Sequence, residues 1–75
     1  MNLNENVSVV LPTLNESENI EEVITRVENT LKENLLEIII VDDDSTDQTR
    51  EIVKNLRNKK VKLIHRIDKK GLASA

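Results

Sequence analysis

The sequence contains no cysteine, phenylalanine, tyrosine or tryptophan, and only one glycine and one proline in 75 residues. Each shortage closes off a class of chemistry. Without cysteine, neither a disulfide nor a thiolate metal site can supplement a small core. Without aromatic rings there is no platform on which nucleobases stack, and the core falls to Val, Ile and Leu. With Gly71 as the lone glycine there is no glycine-rich phosphate fingerprint, and Pro12-Thr13-Leu14-Asn15-Glu16 stands after the first strand instead. No phosphate loop, zinc-ligand spacing or serine elbow is present. No apolar run reaches the length of about 18 residues that a membrane span needs. The N-terminus also lacks the basic and apolar regions of a signal peptide, so a cytoplasmic location is the expectation. The 11 basic residues are outnumbered by 14 acidic ones and interspersed with them, which argues against a nucleic-acid partner held by phosphate neutralisation.

What is present reads as one α/β domain over residues 1–75, of a size that buries roughly 60 to 65% of its unfolded surface. Val7, Val9, Val10 and Leu11 predict a first strand, ended by Pro12 and apolar enough to expect cover on both faces. Ile20, Val23, Ile24, Val27 and Leu31 recur at steps of three and four and predict an amphipathic helix. Asn15 or Ser17 is its expected N-cap, and Asn15 with Glu18 has capping-box spacing. Residues 35–41 predict a second strand. Ile52, Val53 and Leu56 mark one side of a second helix that starts near residues 45–47, with Arg50 outward; Ser45 with Gln48 has capping-box spacing there, and Asp47 is an equally good cap. Val61, Lys62, Leu63 and Ile64 predict a third strand at an exposed edge. Two strand-helix-strand units in succession imply a parallel sheet, with expected order 3-2-1 and a further strand beyond the first. Leu72 to Ala75 reads as the opening of another helix, so the unit is expected to be incomplete at its C-terminus.

In such a sheet the C-terminal strand ends share one rim, which would carry residues 12–16, 42–46 and 65–71. Asp42 and Asp43 could accept hydrogen bonds from a base N–H edge or from ribose hydroxyls. The competing reading is local: Asp43, Asp44 and Asp47 cap the second helix and favour its dipole. A metal-only role for the acids is a third. Glu16 could take a sugar hydroxyl or simply sit in the first helical turn, and Asn15 could contact a ligand or cap. Arg66 and Lys69 could meet a diphosphate or form an ordinary solvated basic loop.

Taken together, Val9-Val10-Leu11-Pro12-Thr13-Leu14-Asn15-Glu16, Glu37-Ile38-Ile39-Ile40-Val41-Asp42-Asp43-Asp44-Ser45-Thr46-Asp47-Gln48-Thr49 and Arg66-Ile67-Asp68-Lys69-Lys70-Gly71-Leu72-Ala73-Ser74-Ala75 resemble the family-two glycosyltransferases of the GT-A fold. The last block is most similar to the polyprenyl-phosphate, especially dolichyl-phosphate, mannose synthases. The resemblance implies a Rossmann-like, three-layer nucleotide-binding half and transfer of a sugar from a GDP- or UDP-sugar to a polyprenyl phosphate or a sugar acceptor. It places Pro12, Asn15 and Glu16 on the first donor loop, Asp42 on the base-contacting aspartate, Asp43 on a neighbouring donor-pocket acid, and Arg66 and Lys69 near the diphosphate. It also implies Mg²⁺ or Mn²⁺ in the complete enzyme, held by an Asp-x-Asp element outside these residues, and a place on the cytoplasmic face of a membrane. Leu14 stands where the family usually has an aromatic, and Asp44 where glycine is common. Two other readings compete: a nucleotidyltransferase-like nucleotide-binding module, and a non-catalytic fragment that self-associates through the first strand.

Overall fold

A computed structural model describes residues 7–67 of the chain. Strands β1 (Val7–Thr13), β2 (Leu35–Asp42) and β3 (Val61–His65) alternate with helices α1 (Ile20–Leu31) and α2 (Thr49–Leu56). Both strand pairings are parallel, in the order β1-β2-β3 with β2 central. The hydrophobic pattern thus yields the β-α-β-α-β arrangement it predicts. A one-turn 3-10 helix, Lys32–Asn34, joins α1 to β2.

Side chains alternate along each strand, so Val9 and Leu11, Ile38 and Ile40, and Val61 and Leu63 share one face. Onto that face α1 lays Ile20 and Ile24, and α2 lays Val53. The buried members, Ile20, Ile24, Ile38, Ile40 and Val53, each stabilise the fold by about 1.5–3 kcal/mol, and the partly buried ones by less. Both helices lie on this side. The other face therefore leaves Val10 and Ile64 more than half exposed, at 58% and 51%. The apolar character of β1, broken before Pro12 only by Ser8, predicts cover on both faces; among the described residues only one face has it.

Pro12 does not end β1. The strand runs one residue further, with Pro12 opposite Val41, and the Thr13 carbonyl accepts the Asp43 N–H at 2.9 Å. Thr13 therefore turns its polar backbone toward β2 and Pro12 turns its own outward, where a missing N–H removes no ladder bond.

Both helices begin later than their capping signals predict. The Glu16 carbonyl accepts the N–H groups of Asn19 and Ile20, and Asn19 becomes the N-cap of α1 without a side-chain bond. Asn15 sits instead in the left-handed region, φ 55°, with its carboxamide turned away from α1. Gln48 is the N-cap of α2, and the Ser45 hydroxyl oxygen accepts the Asn15 N–H rather than a helical one while its O–H donates to Asp42. Asp47 does serve that helix, because its Oδ1 accepts the Thr49 N–H at 2.9 Å. With no glycine in the described residues, Lys32, Asp44 and Arg57 also take positive φ, which costs about 1–2 kcal/mol per residue outside glycine and less for Asp or Asn.

Candidate functional site

The rim is built around the last residue of β2. Alternation that buries Ile38 and Ile40 also points Asp42 inward, and its side chain is fully buried. A buried carboxylate is tolerated only when its oxygens are paired. Asp42 Oδ1 accepts the hydroxyls of Thr13 at 2.7 Å and of Ser45 at 2.5 Å. Its Oδ2 accepts the Ser45 N–H and an Arg50 guanidinium N–H, both at 2.8 Å. Burial pushes this carboxyl's pKa up, but the bonds from Ser45, Thr13 and Arg50 outweigh it and hold the group well below the usual carboxylate range.

Above Asp42 the loop after β1 is stitched to the loop after β2. Three consecutive N–H groups, those of Asn15, Glu16 and Ser17, donate to Ser45 Oγ at 2.8 Å, Thr49 Oγ1 at 2.9 Å and Asp47 Oδ2 at 3.1 Å. The second loop answers, with the N–H groups of Thr46 and Asp47 donating to Asn15 Oδ1 at 2.8 and 3.3 Å. Ser45 and Thr49 act as relays. Each hydroxyl accepts from loop one and donates to an aspartate, Asp42 or Asp47 respectively. The Thr49 hydroxyl is the largest reason that the Asp47 carboxyl is lowered to about 2.

Three acids have side chains closer to solvent, and of these Asp44 reaches the network only through Arg50, at 3.9 Å. Asp43 pairs with Arg66 Nε at 2.8 Å, and Asp44 pairs with His65 Nε2 at 2.8 Å, all four side chains being well exposed. Glu16 is half-buried beside a cavity of about 180 Å³ that Leu11, Pro12, Thr13, Ile20 and Val23 also line. A larger groove, about 280 Å³, lies along Val9 and the later turns of α1, away from the rim and its charged groups.

The family model for glycosyl transferase family 2 matches residues 8–75. The chain belongs to that family. It is 50% identical over 70 residues to a dolichol-phosphate mannosyltransferase of Pyrococcus furiosus, an alignment that covers 92% of this chain and 20% of the relative. The chain thus spans about a fifth of the length of that curated protein. No solved structure matches it significantly.

For this family 2 glycosyl transferase chain, the structure brings Pro12, Asn15, Glu16, Asp42, Asp43 and Arg66 to one end of one sheet. Lys69 lies outside the described residues. Asp42, to which the resemblance gives the base contact, has both oxygens engaged inside the protein. Asn15 likewise turns its carboxamide oxygen to the neighbouring loop. Arg50 was expected to point outward and instead reaches back to Asp42 and to the Ser45 carbonyl, at 2.8 and 3.0 Å. Thr13, Ser45 and Thr49 join it as residues whose part was not read from the sequence. The available signal was the pairing of short hydroxyl side chains with an acid placed in phase with buried isoleucines.

Among the described residues no three His, Asp or Glu side chains gather as ligands for a metal ion. Asp42 is saturated, and Asp43 and Asp44 each face a basic partner, so this part of the rim does not fit Mg²⁺ or Mn²⁺. No transmembrane-length apolar helix occurs among the described residues either.

Proposed function

We propose that the chain is the N-terminal donor-binding portion of a GT-A glycosyltransferase, whose sheet keeps the order 3-2-1 and continues beyond β1. The observation that carries this reading is the division of labour at the rim. Buried Asp42 holds the two loops together, while Asp43, Glu16 and Arg66 keep polar groups at the surface of the same end. Asp43 is then the donor-facing acid, accepting from the N–H edge of the base, and Arg66, released from Asp43, turns to the diphosphate. Glu16 accepts from a ribose hydroxyl at the cavity beside Pro12.

The donor is a GDP- or UDP-sugar. The Pyrococcus furiosus relative is named for mannosyl transfer and dolichol phosphate, which supports mannose as the sugar and a polyprenyl phosphate as the acceptor. In the transfer the bond from the anomeric carbon to the donor diphosphate breaks as an acceptor oxygen bonds to that carbon from the opposite side. A phosphate acceptor already carries the negative charge a nucleophile needs, so the residues described here supply binding and orientation. Mg²⁺ or Mn²⁺ belongs to the proposal as an ion held outside this segment, and the cytoplasmic face of a membrane as the location.

Calorimetric titration of the full-length protein with GDP- and UDP-mannose, with and without Mn²⁺, tests the reading. Asp43→Ala should weaken donor binding by about ten- to a hundredfold, the value of one charge-assisted hydrogen bond. Unchanged affinity in a folded variant removes Asp43 from the site. Release of pyrophosphate in place of a nucleoside diphosphate during turnover would replace sugar transfer with nucleotide transfer.

A further inference from the structure

We infer that Asn15 is a positioning residue that locks the loop after β1 onto the loop after β2, so that the two form one preorganised unit. The inference rests on the donor-binding reading above for its effect on ligand, although the lock itself is a property of the fold.

Asn15 both gives and takes across the seam. Its N–H donates to Ser45 Oγ, and its carboxamide oxygen accepts the backbone N–H groups of Thr46 and Asp47. It can do both because its backbone is left-handed at φ 55°, a region that asparagine tolerates better than most residues. That turn also presents the next two N–H groups, of Glu16 and Ser17, to Thr49 and Asp47. Loop one carries Glu16 and loop two carries Asp43, so a lock between the loops fixes the offset of the two donor-facing carboxylates before any ligand arrives. A site held in this way has less ordering to do on binding. Thr46 is exposed, so without the carboxamide its amide would turn to water while the aliphatic core stayed as it is.

Two substitutions in the full-length protein separate backbone from side chain. Asn15→Gly keeps the left-handed freedom and deletes the carboxamide, whereas Asn15→Asp keeps both the turn and an acceptor oxygen. With GDP and UDP as probes, Asn15→Gly should raise Kd about tenfold, from one or two lost hydrogen bonds, and Asn15→Asp should stay within about threefold of wild type. Amide hydrogen exchange should speed up at Thr46 and Asp47 in Asn15→Gly alone, with Ile38 and Ile40 still protected as proof of an intact core. Wild-type affinity and wild-type protection in Asn15→Gly would overturn the inference, as would equal losses in both variants. If the wild-type protein binds neither probe, the donor reading falls, and the exchange measurement still decides the lock: unchanged protection at Thr46 and Asp47 sinks it, and selective loss sustains it.

Discussion

The two ends of the sheet are closed by different means. At the C-terminal end, short side chains of Thr13, Asn15, Ser45, Asp47 and Thr49 bond across about thirty residues of sequence, around a carboxylate sealed from water. At the opposite end the joining rests on single contacts, one of them from a long lysine side chain. Asn58 Nδ2 donates to Glu28, Lys60 Nζ donates to the Leu35 carbonyl at 2.8 Å, and Arg57 turns the chain in a left-handed conformation without glycine's help. Short side chains have few rotamers to lose and hold one geometry, while lysine gives up considerable rotamer freedom for each contact. The first end is built to fix positions, and the second only to reverse the chain.

The largest effect should come from breaking the first end at its centre. Asp42→Ala leaves the Arg50 guanidinium, two hydroxyls and an N–H without their shared partner, and should destabilise the protein by about 3–5 kcal/mol. Urea unfolding measures this, and a loss below about 1 kcal/mol would mean that water replaces the carboxylate.

Acid should sharpen the contrast. Asp42 and Asp47 both have folded-state pKa values below their ordinary one, so the unfolded chain takes up protons first as pH falls. Their stabilisation is complete above about pH 4 and drains away as pH drops through the folded values, about 2 for Asp47 and well under the ordinary carboxylate range for Asp42. Circular dichroism through this range should show a shallower acid dependence in Asp47→Asn than in wild type. Parallel curves would take Asp47 out of the linkage.

The smallest change belongs to the opposite end. Arg57→Gly relieves a left-handed arginine at the C-cap of α2 and should raise stability by about 1 kcal/mol, read as a higher melting temperature. A lower melting temperature would show that the arginine contributes more than its backbone costs.

The strands and helices were legible because Val, Ile and Leu recur with the right periods, and that pattern also brings residues 12–16 and 42–46 to the same rim. The helix starts were not. Asn15 and Ser45 have the composition of caps, but each met a partner about thirty residues away that local spacing does not reveal. Arg50 was misplaced for the same reason: helical phase alone turns it outward, and only the buried charge of Asp42 draws it back. Pro12 looked like a terminator because the rule concerns a lost N–H, and whether that N–H matters depends on which edge it faces. Leu14, exposed at 57%, shows that an apolar residue in the loop did not find the packing its type suggests.

Asp42 and Asp43 are chemically identical neighbours, and only the parity of β2 sorts them, one into the interior and one into solvent. Deleting a single residue between Ile38 and Val41 would exchange their fates, turning Asp43 inward toward Thr13 and stranding Asp42 outside. A strand usually valued for its isoleucines thereby acts as a counter, and its length in residues governs which carboxylate a visiting molecule can meet.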